Sequence, residues 1–368
     1  MRVLFVAGHT AGACYPLVPL AQAVRLGGHE VFVAGHEDVL PVVAAAGLPG
    51  VAISSRTLSD FLVDRGGRTV ELPEPGHEHD LAVGRVFGRF AADGLDGLLA
   101  LVRDWRPDRV VGVATAYAAP LAAHDGGVPY VRFATDLAEP VVHMLAAVAE
   151  LGPELEKLGL YELPAPWRSV SVAPPSLRAP DAAPALPLRH IPYETQSALP
   201  PWVHPGQDRP RVLVHDHGET RPDLLEGLRE LEAEIVVTGQ EEGPVPPGVR
   251  AGRVPLGVAV RPGDVVVHRG RPDVVLTCLA RAAAQVLLPG DPGLDEHAGR
   301  LARLGAARQV GDSAVPGAPV ETEEVVAACR EVLADPAYGQ AAHRLRAEIH
   351  EMPLPADLVP LLTEEVVA

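Results

Sequence analysis

The chain has 368 residues, 47% hydrophobic and 21% charged, a balance that fits a globular protein of about two domains and excludes a disordered one. The formal net charge of -17 and a pI near 5.3 give a surface that repels nucleic acid and anionic lipid, so neither is expected as a partner. The three cysteines, Cys14, Cys278 and Cys329, are too widely spaced for a disulfide framework or a metal knuckle; no metal site is expected, and the pattern suits a reducing cytoplasm.

The opening MRVLFVAGHTAG is a short apolar strand after one Arg, without the apolar core or cleavage site of a secretory leader. No run reaches about 18 apolar residues, so no membrane span is expected. Residues 3–6 predict a fully buried strand. After a loop, Leu17, Leu20, Ala21 and Val24 share one face of a helix that Gly27 and Gly28 end. Residues 31–34 and 51–54 predict two more strands. Between 83 and 105, Val86, Phe87, Phe90, Leu98, Leu99 and Val102 recur at helical spacing, and residues 110–113 and 130–133 are again strand-like. Strands alternating with helices predict a parallel, doubly wound sheet.

From about 163 to 210 proline crowds the chain (LPAPW, APPSL, APALPL, ALPPWVHP), a density that blocks helix and sheet interiors. The α/β rhythm then restarts, with strands at 212–215, 235–238, 264–268 and 286–289 and helices at 222–231 and from about Pro272. The expected division is a first domain over 1–190, a proline-rich linker over 191–210, a second domain over 211–350 and a C-terminal helix over 351–368. Two such domains in tandem place a cleft between them, and ligands bind beyond the carboxyl ends of the strands.

Four segments, spread over nearly the whole chain, carry a family resemblance. MRVLFVAGHTAGACYPLVPLAQAVRLGGHEVFVA resembles the opening strand, loop and helix of the GT-B glycosyltransferases that decorate polyketide and macrolide antibiotics. LRHIPYE at 188–194 resembles their entry into the linker. VPLGVAVRPGDVVVHRG followed by LTCLARAAAQVLLPGD resembles their donor-binding segment, and EIHEMPLPADLVPLL their closing helices. The resemblance implies a GT-B fold: two Rossmann-like, doubly wound parallel-sheet domains facing across a cleft, with the last helix packed back on the first domain. It also implies an acceptor in the N-terminal domain and a nucleotide-activated sugar in the C-terminal one. Transfer in this family displaces a diphosphate at the anomeric carbon while a base removes the acceptor's proton.

Several site positions depart from the family's pattern. Its base is a histidine just before the aromatic-Pro-Leu of the first helix; here Ala13 stands there, beside Cys14 and Tyr15. Loss of a positioned base costs about 10²–10⁴ in rate. His9, four residues earlier, either substitutes for it or is a polar loop residue, and Cys14 as a thiolate would need a partner such as His9. Ala13, Cys14, Tyr15 and Asp136 are the expected acceptor contacts. The family's diphosphate cradle, a His-His-Gly-Gly run at a helix start, reads His268-Arg269-Gly270-Arg271-Pro272-Asp273 here. Arg271 adds bulk, Pro272 removes an N–H, and Asp273 sets a carboxylate where a diphosphate is wanted; alternatively Arg269 and Arg271 clamp phosphate. The sugar-gripping Asp-Gln pair falls on Gly293 and Leu294, with Asp291 and Asp295 nearby, and Arg253 takes the place of a base-stacking tryptophan. Finally, His215-Asp216-His217-Gly218-Glu219 follows the first strand of the second domain, either as acid–base machinery or as a solvated loop.

These departures lead to an expected pseudoenzyme of bacterial secondary metabolism. On this reading the chain binds a hydrophobic polyketide-like molecule, has lost or replaced sugar transfer, and needs no cofactor; His9, His215, Asp216 and His217 would serve any new chemistry. The alternatives are a working transferase using a nucleotide deoxysugar, and a non-catalytic auxiliary of a true glycosyltransferase. A homodimer or a transferase partner is possible under these readings, in the cytoplasm.

Overall fold

The computed structural model describes residues 1–368 except 75, 136, 138–140, 204–208, 216–220, 240–244, 289–294, 312–319 and 365–368. The chain forms two compact units. The first comprises Met1–Val172, Ala179–Arg189 and Pro353–Ala368, and the second Ala173–Arg178 and His190–Met352.

The first unit holds seven parallel strands: β1 (Arg2–Val6), β2 (Glu30–His36), β3 (Gly50–Ser54), β4 (Arg109–Val113), β5 (Tyr130–Ala134), β6 (Arg168–Ser171) and β7 (Leu186–Pro187), in the order β3-β2-β1-β4-β5-β6-β7. Val3, Leu4 and Phe5 of β1 are completely buried, as a central strand covered on both faces demands. The order reverses between β1 and β4, so the loop after β1 opens at the switch point where such sheets take ligands. Strands β6 and β7 lie inside the proline-crowded stretch. β6 contains no proline and pairs with β5, while Pro187 sits on the edge strand, where its missing N–H costs the ladder least.

The helix His77–Trp105 begins earlier than its apolar pattern, with Glu78 and Asp80 favourably placed in its first turn. It packs backbone to backbone on the helix Val141–Glu150. A Cβ on Gly84 would lie 2.5 Å from the His143 carbonyl oxygen, and one on Gly88 2.8 Å from that of Ala147. The helix Pro355–Thr363 belongs to the first unit, where the Arg109 Nε–H donates to the Leu362 carbonyl at 3.1 Å.

The second unit has six parallel strands: β8 (Arg211–His215), β9 (Glu234–Thr238), β10 (Arg250–Gly252), β11 (Val265–His268), β12 (Ala284–Leu287) and β13 (Ala307–Gln309), in the order β10-β9-β8-β11-β12-β13. Alternate residues feed opposite faces. Val212, Val214, Val265 and Val267 join one core with Leu228 and Val326; Leu213 and Val266 join the other with Val274 and Cys278. Asp264 precedes β11 rather than opening it. Its carboxylate takes two hydrogen bonds from Arg211 and one from the Arg261 N–H, with the Arg211 and Asp264 side chains only 3% and 6% exposed. Removing one partner strands a buried charge, so Asp264→Ala is expected to cost about 3–5 kcal/mol. Urea unfolding measures this, and Arg211→Met combined with Asp264→Leu should cost much less than the single change.

Candidate functional site

In the first unit, β1 runs into Ala7-Gly8-His9-Thr10 and then the short helix Ala11–Cys14, capped by the Thr10 hydroxyl accepting the Ala13 N–H at 3.3 Å. This helix folds back so closely that a Cβ on Gly8 would lie 2.5 Å from the Ala13 Cβ. The His9 ring packs on Phe87 (centroids 4.4 Å apart) and approaches Phe90 at 6.3 Å. Burial, helped by the charge of His143, pulls the His9 pKa down to about 4. Among the described residues its ring nitrogens have no hydrogen-bond partner. Cys14 is buried and its thiol is pushed up to about 12 by that burial, so it is no thiolate nucleophile. Tyr15 is half-buried. Asp136 lies outside the described residues.

Three residues not anticipated from sequence, His36, His143 and Asp80, are linked to His9 through Phe87 and Phe90. His36, at the end of β2, stacks on Phe90 at 3.6 Å and bonds the Arg56 carbonyl through Nδ1 at 2.8 Å. His143 meets Phe87 edge-on at 5.8 Å, and its Nε2 lies 3.3 Å from the Asp80 carboxylate. The pairing of Asp80 with a histidine 63 positions away leaves no local sequence signal.

In the second unit, His268 ends β11. Its Nδ1 accepts the Gly270 N–H at 3.0 Å and its Nε2 donates to Gln285 Oε1 at 2.9 Å. Burial lowers its pKa to about 4, opposed by the Gln285 bond and aided by His297. His268 therefore fixes the turn rather than titrating at neutral pH. Gly270 has φ +77, a region that disfavours any Cβ, and its carbonyl bonds the fully buried His297 at 2.7 Å. The helix Pro272–Ala280 starts here, with Arg271 as its N-cap residue. Pro272 has no N–H, so the free donors of the first turn are those of Asp273 and Val274. Arg271 grips Asp273 through two bonds, at 3.2 and 2.8 Å. The expected electrostatic obstacle is thereby removed: the carboxylate is neutralised by its neighbour, and the Arg271 side chain remains 40% exposed instead of plugging the turn.

Glu194 was unforeseen. It accepts the Leu256 N–H at 3.0 Å, and burial pushes its pKa up to about 7, with Asp273 adding to the rise and Arg271 opposing it. His215 is buried and bonds Thr238 across β8 and β9 at 2.9 Å, a sheet-holding position. Arg253 and Arg269 are exposed. Asp216, His217 and Asp291 lie outside the described residues, as does the side chain of Asp295. Among the described residues, no group of three or more His, Cys, Asp or Glu could hold a metal ion, and no helix is long and apolar enough to cross a membrane.

Two doubly wound parallel sheets, each with its loops at the strand ends, make this a GT-B protein. The chain belongs to the erythromycin biosynthesis protein CIII-like family, whose N-terminal domain matches residues 22–216 and whose C-terminal domain matches 222–365. It is 32% identical over 390 residues to the L-demethylnoviosyl transferase of Streptomyces niveus, covering 99% of this chain and 98% of that one. The Streptomyces sp. SF2575 glycosyltransferase SsfS6, solved with thymidine diphosphate, is 34% identical with a TM-score of 0.87, over 98% of this chain and 99% of that one. The spinosyn rhamnosyltransferase SpnG, solved with the spinosyn aglycone, is 25% identical with a TM-score of 0.83, over 99% and 100%.

These likenesses overturn the expected loss of sugar transfer, the pseudoenzyme reading, the degeneracy ascribed to the motifs, and the expectation that no nucleotide sugar is needed. The physical reason lies in the second unit. A helix N-terminus binds an anion through backbone N–H groups, which tolerate different side-chain letters once the Asp273 charge is paired.

His9, His268 and His190, the last lowered to about 3 by burial, are neutral in the fold and protonate readily once unfolded. Between about pH 4 and the ordinary 6.5 the unfolded chain therefore holds protons that the folded chain does not, and stability rises with pH. Urea unfolding should show a slope approaching about 1.4 kcal/mol per pH unit from each such histidine. His268→Gln should remove one share of that slope.

Proposed function

We propose that this chain transfers a deoxysugar from a thymidine diphosphate carrier to a hydroxyl of a polyketide-like aglycone. The observation that carries the reading is the whole-chain likeness to a transferase solved with thymidine diphosphate. The local chemistry supports it. Among the described residues, the turn at Gly270 leaves open space where a side chain would stand, with only His297 Nε2 within 4 Å of a would-be Cβ, at 3.9 Å. The Asp273 and Val274 N–H groups and the helix dipole supply the positive end that a leaving diphosphate needs. Arg271 contributes twice, by cancelling the Asp273 charge and by offering a guanidinium next to the departing oxygens.

An apolar acceptor is supported by the first unit. Val141, Met144 and Leu145 recur at i, i+3 and i+4 on one face of their helix and are 65%, 40% and 59% exposed.

Titration calorimetry with thymidine diphosphate tests the reading: micromolar binding is expected, and no binding at millimolar nucleotide would end it. Arg271→Ala should weaken that binding at least about 10-fold, since it removes a cation and bares a carboxylate. Arg271→Ala with Asp273→Ala should recover much of the loss.

A further inference from the structure

We propose that His143, held by Asp80, is the base that takes the acceptor hydroxyl's proton in place of the histidine missing at Ala13. This rests on the transferase reading above. Ala13 can accept no proton, so the first loop supplies no base at that position. Two histidines meet at Phe87: His9 on its face at 4.4 Å, and His143 at its edge at 5.8 Å.

The two differ in what could hold a proton. His9 has no carboxylate partner among the described residues, and burial keeps it neutral. An imidazolium there would lie beside His143 without a counter-ion. His143 has the Asp80 carboxylate 3.3 Å from Nε2, which fixes the ring's tautomer and orientation, as in hydrolytic His-Asp pairs. Among the described residues the other basic side chain near the Asp80 carboxylate is His79, its Nδ1 farther off at 3.8 Å. The His143 backbone is locked by its contact with Gly84, where a Cβ would come within 2.9 Å of the His143 Cα. With Nε2–H on Asp80, the remaining Nδ1 has no hydrogen-bond partner among the described residues.

In the step, the acceptor oxygen bonds to the anomeric carbon as the bond from that carbon to the diphosphate breaks. The bonding pair leaves with the diphosphate, and the acceptor proton passes to His143 Nδ1. His9, neutral, orients the acceptor by a hydrogen bond.

The test compares the unmodified chain with His143→Gln, Asp80→Asn and His9→Gln, using thymidine diphosphate L-rhamnose as donor at about pH 8. Two phenols serve as acceptors: 4-nitrophenol, largely ionised there, and 4-methoxyphenol, almost wholly protonated. A base matters only to the protonated acceptor. His143→Gln should lower kcat about 10²–10⁴-fold on 4-methoxyphenol and only a few-fold on 4-nitrophenol. Asp80→Asn, isosteric and in a half-exposed first turn, should show the same contrast at smaller size, so a misfolded His143 variant does not decide the matter. His9→Gln should affect both phenols alike, mainly through KM. Equal losses on both phenols in the first two variants, or a contrast confined to His9→Gln, would overturn the assignment. Thymidine diphosphate calorimetry on the unmodified chain separates the two failures. If the nucleotide binds and the contrast is absent, the base assignment falls and the transferase reading stands; if it does not bind, both fall.

Discussion

Every strand in both sheets is parallel, so each must be followed by a crossover before the next can pair, and the crossing helices cover both faces of the sheet. That constraint consumes the side chains of the strands in packing: Val3, Leu4 and Phe5 in one unit and Val265, Val266 and Val267 in the other are almost wholly buried. Chemistry is pushed to the strand ends. The loop after β1 and the turn after β11 are where backbone first escapes the core, and both depend on a glycine. Gly8 is pressed by the returning helix, and Gly270 takes a left-handed conformation.

At both places buried polar groups are kept neutral or paired. His268 is held uncharged by burial and spends both nitrogens on hydrogen bonds that shape the Gly270 turn. Arg271 and Asp273 cancel one another two residues apart. Glu194, desolvated nearby, is shifted toward its protonated form, which limits the negative potential around that helix start. The outcome is a helix terminus whose own dipole, rather than an arrangement of lone charges, dominates what a phosphate would meet.

The same logic explains why a letter-by-letter comparison of motifs misled. Asp273 considered alone is a repulsive carboxylate; with a guanidinium locked onto it at 2.8 Å it is half of a neutral pair. Ala13 considered alone is a missing base, yet the space around the first loop carries three other histidines, His9, His36 and His143, brought together through Phe87 and Phe90. Side-chain chemistry lost at one position of a loop can be supplied from a helix that is distant in sequence and near in space.

What the sequence determined by itself is the periodic part. Valine-rich runs, the helical recurrence of Val86, Phe90, Leu98 and Val102, and the glycines after the first helix are local patterns, and local sterics suffice to turn them into strands, helices and stops. His268 at its strand end and the helix start at Pro272 were legible for the same reason. Tertiary structure alone decided the partners. His143 with Asp80, His297 with the Gly270 carbonyl, Arg211 with Asp264 and Glu194 with the Leu256 N–H join residues 27 to 63 positions apart. A charge's effect depends on the distance and burial of its neighbours, and no one-dimensional spacing encodes either for residues on different elements.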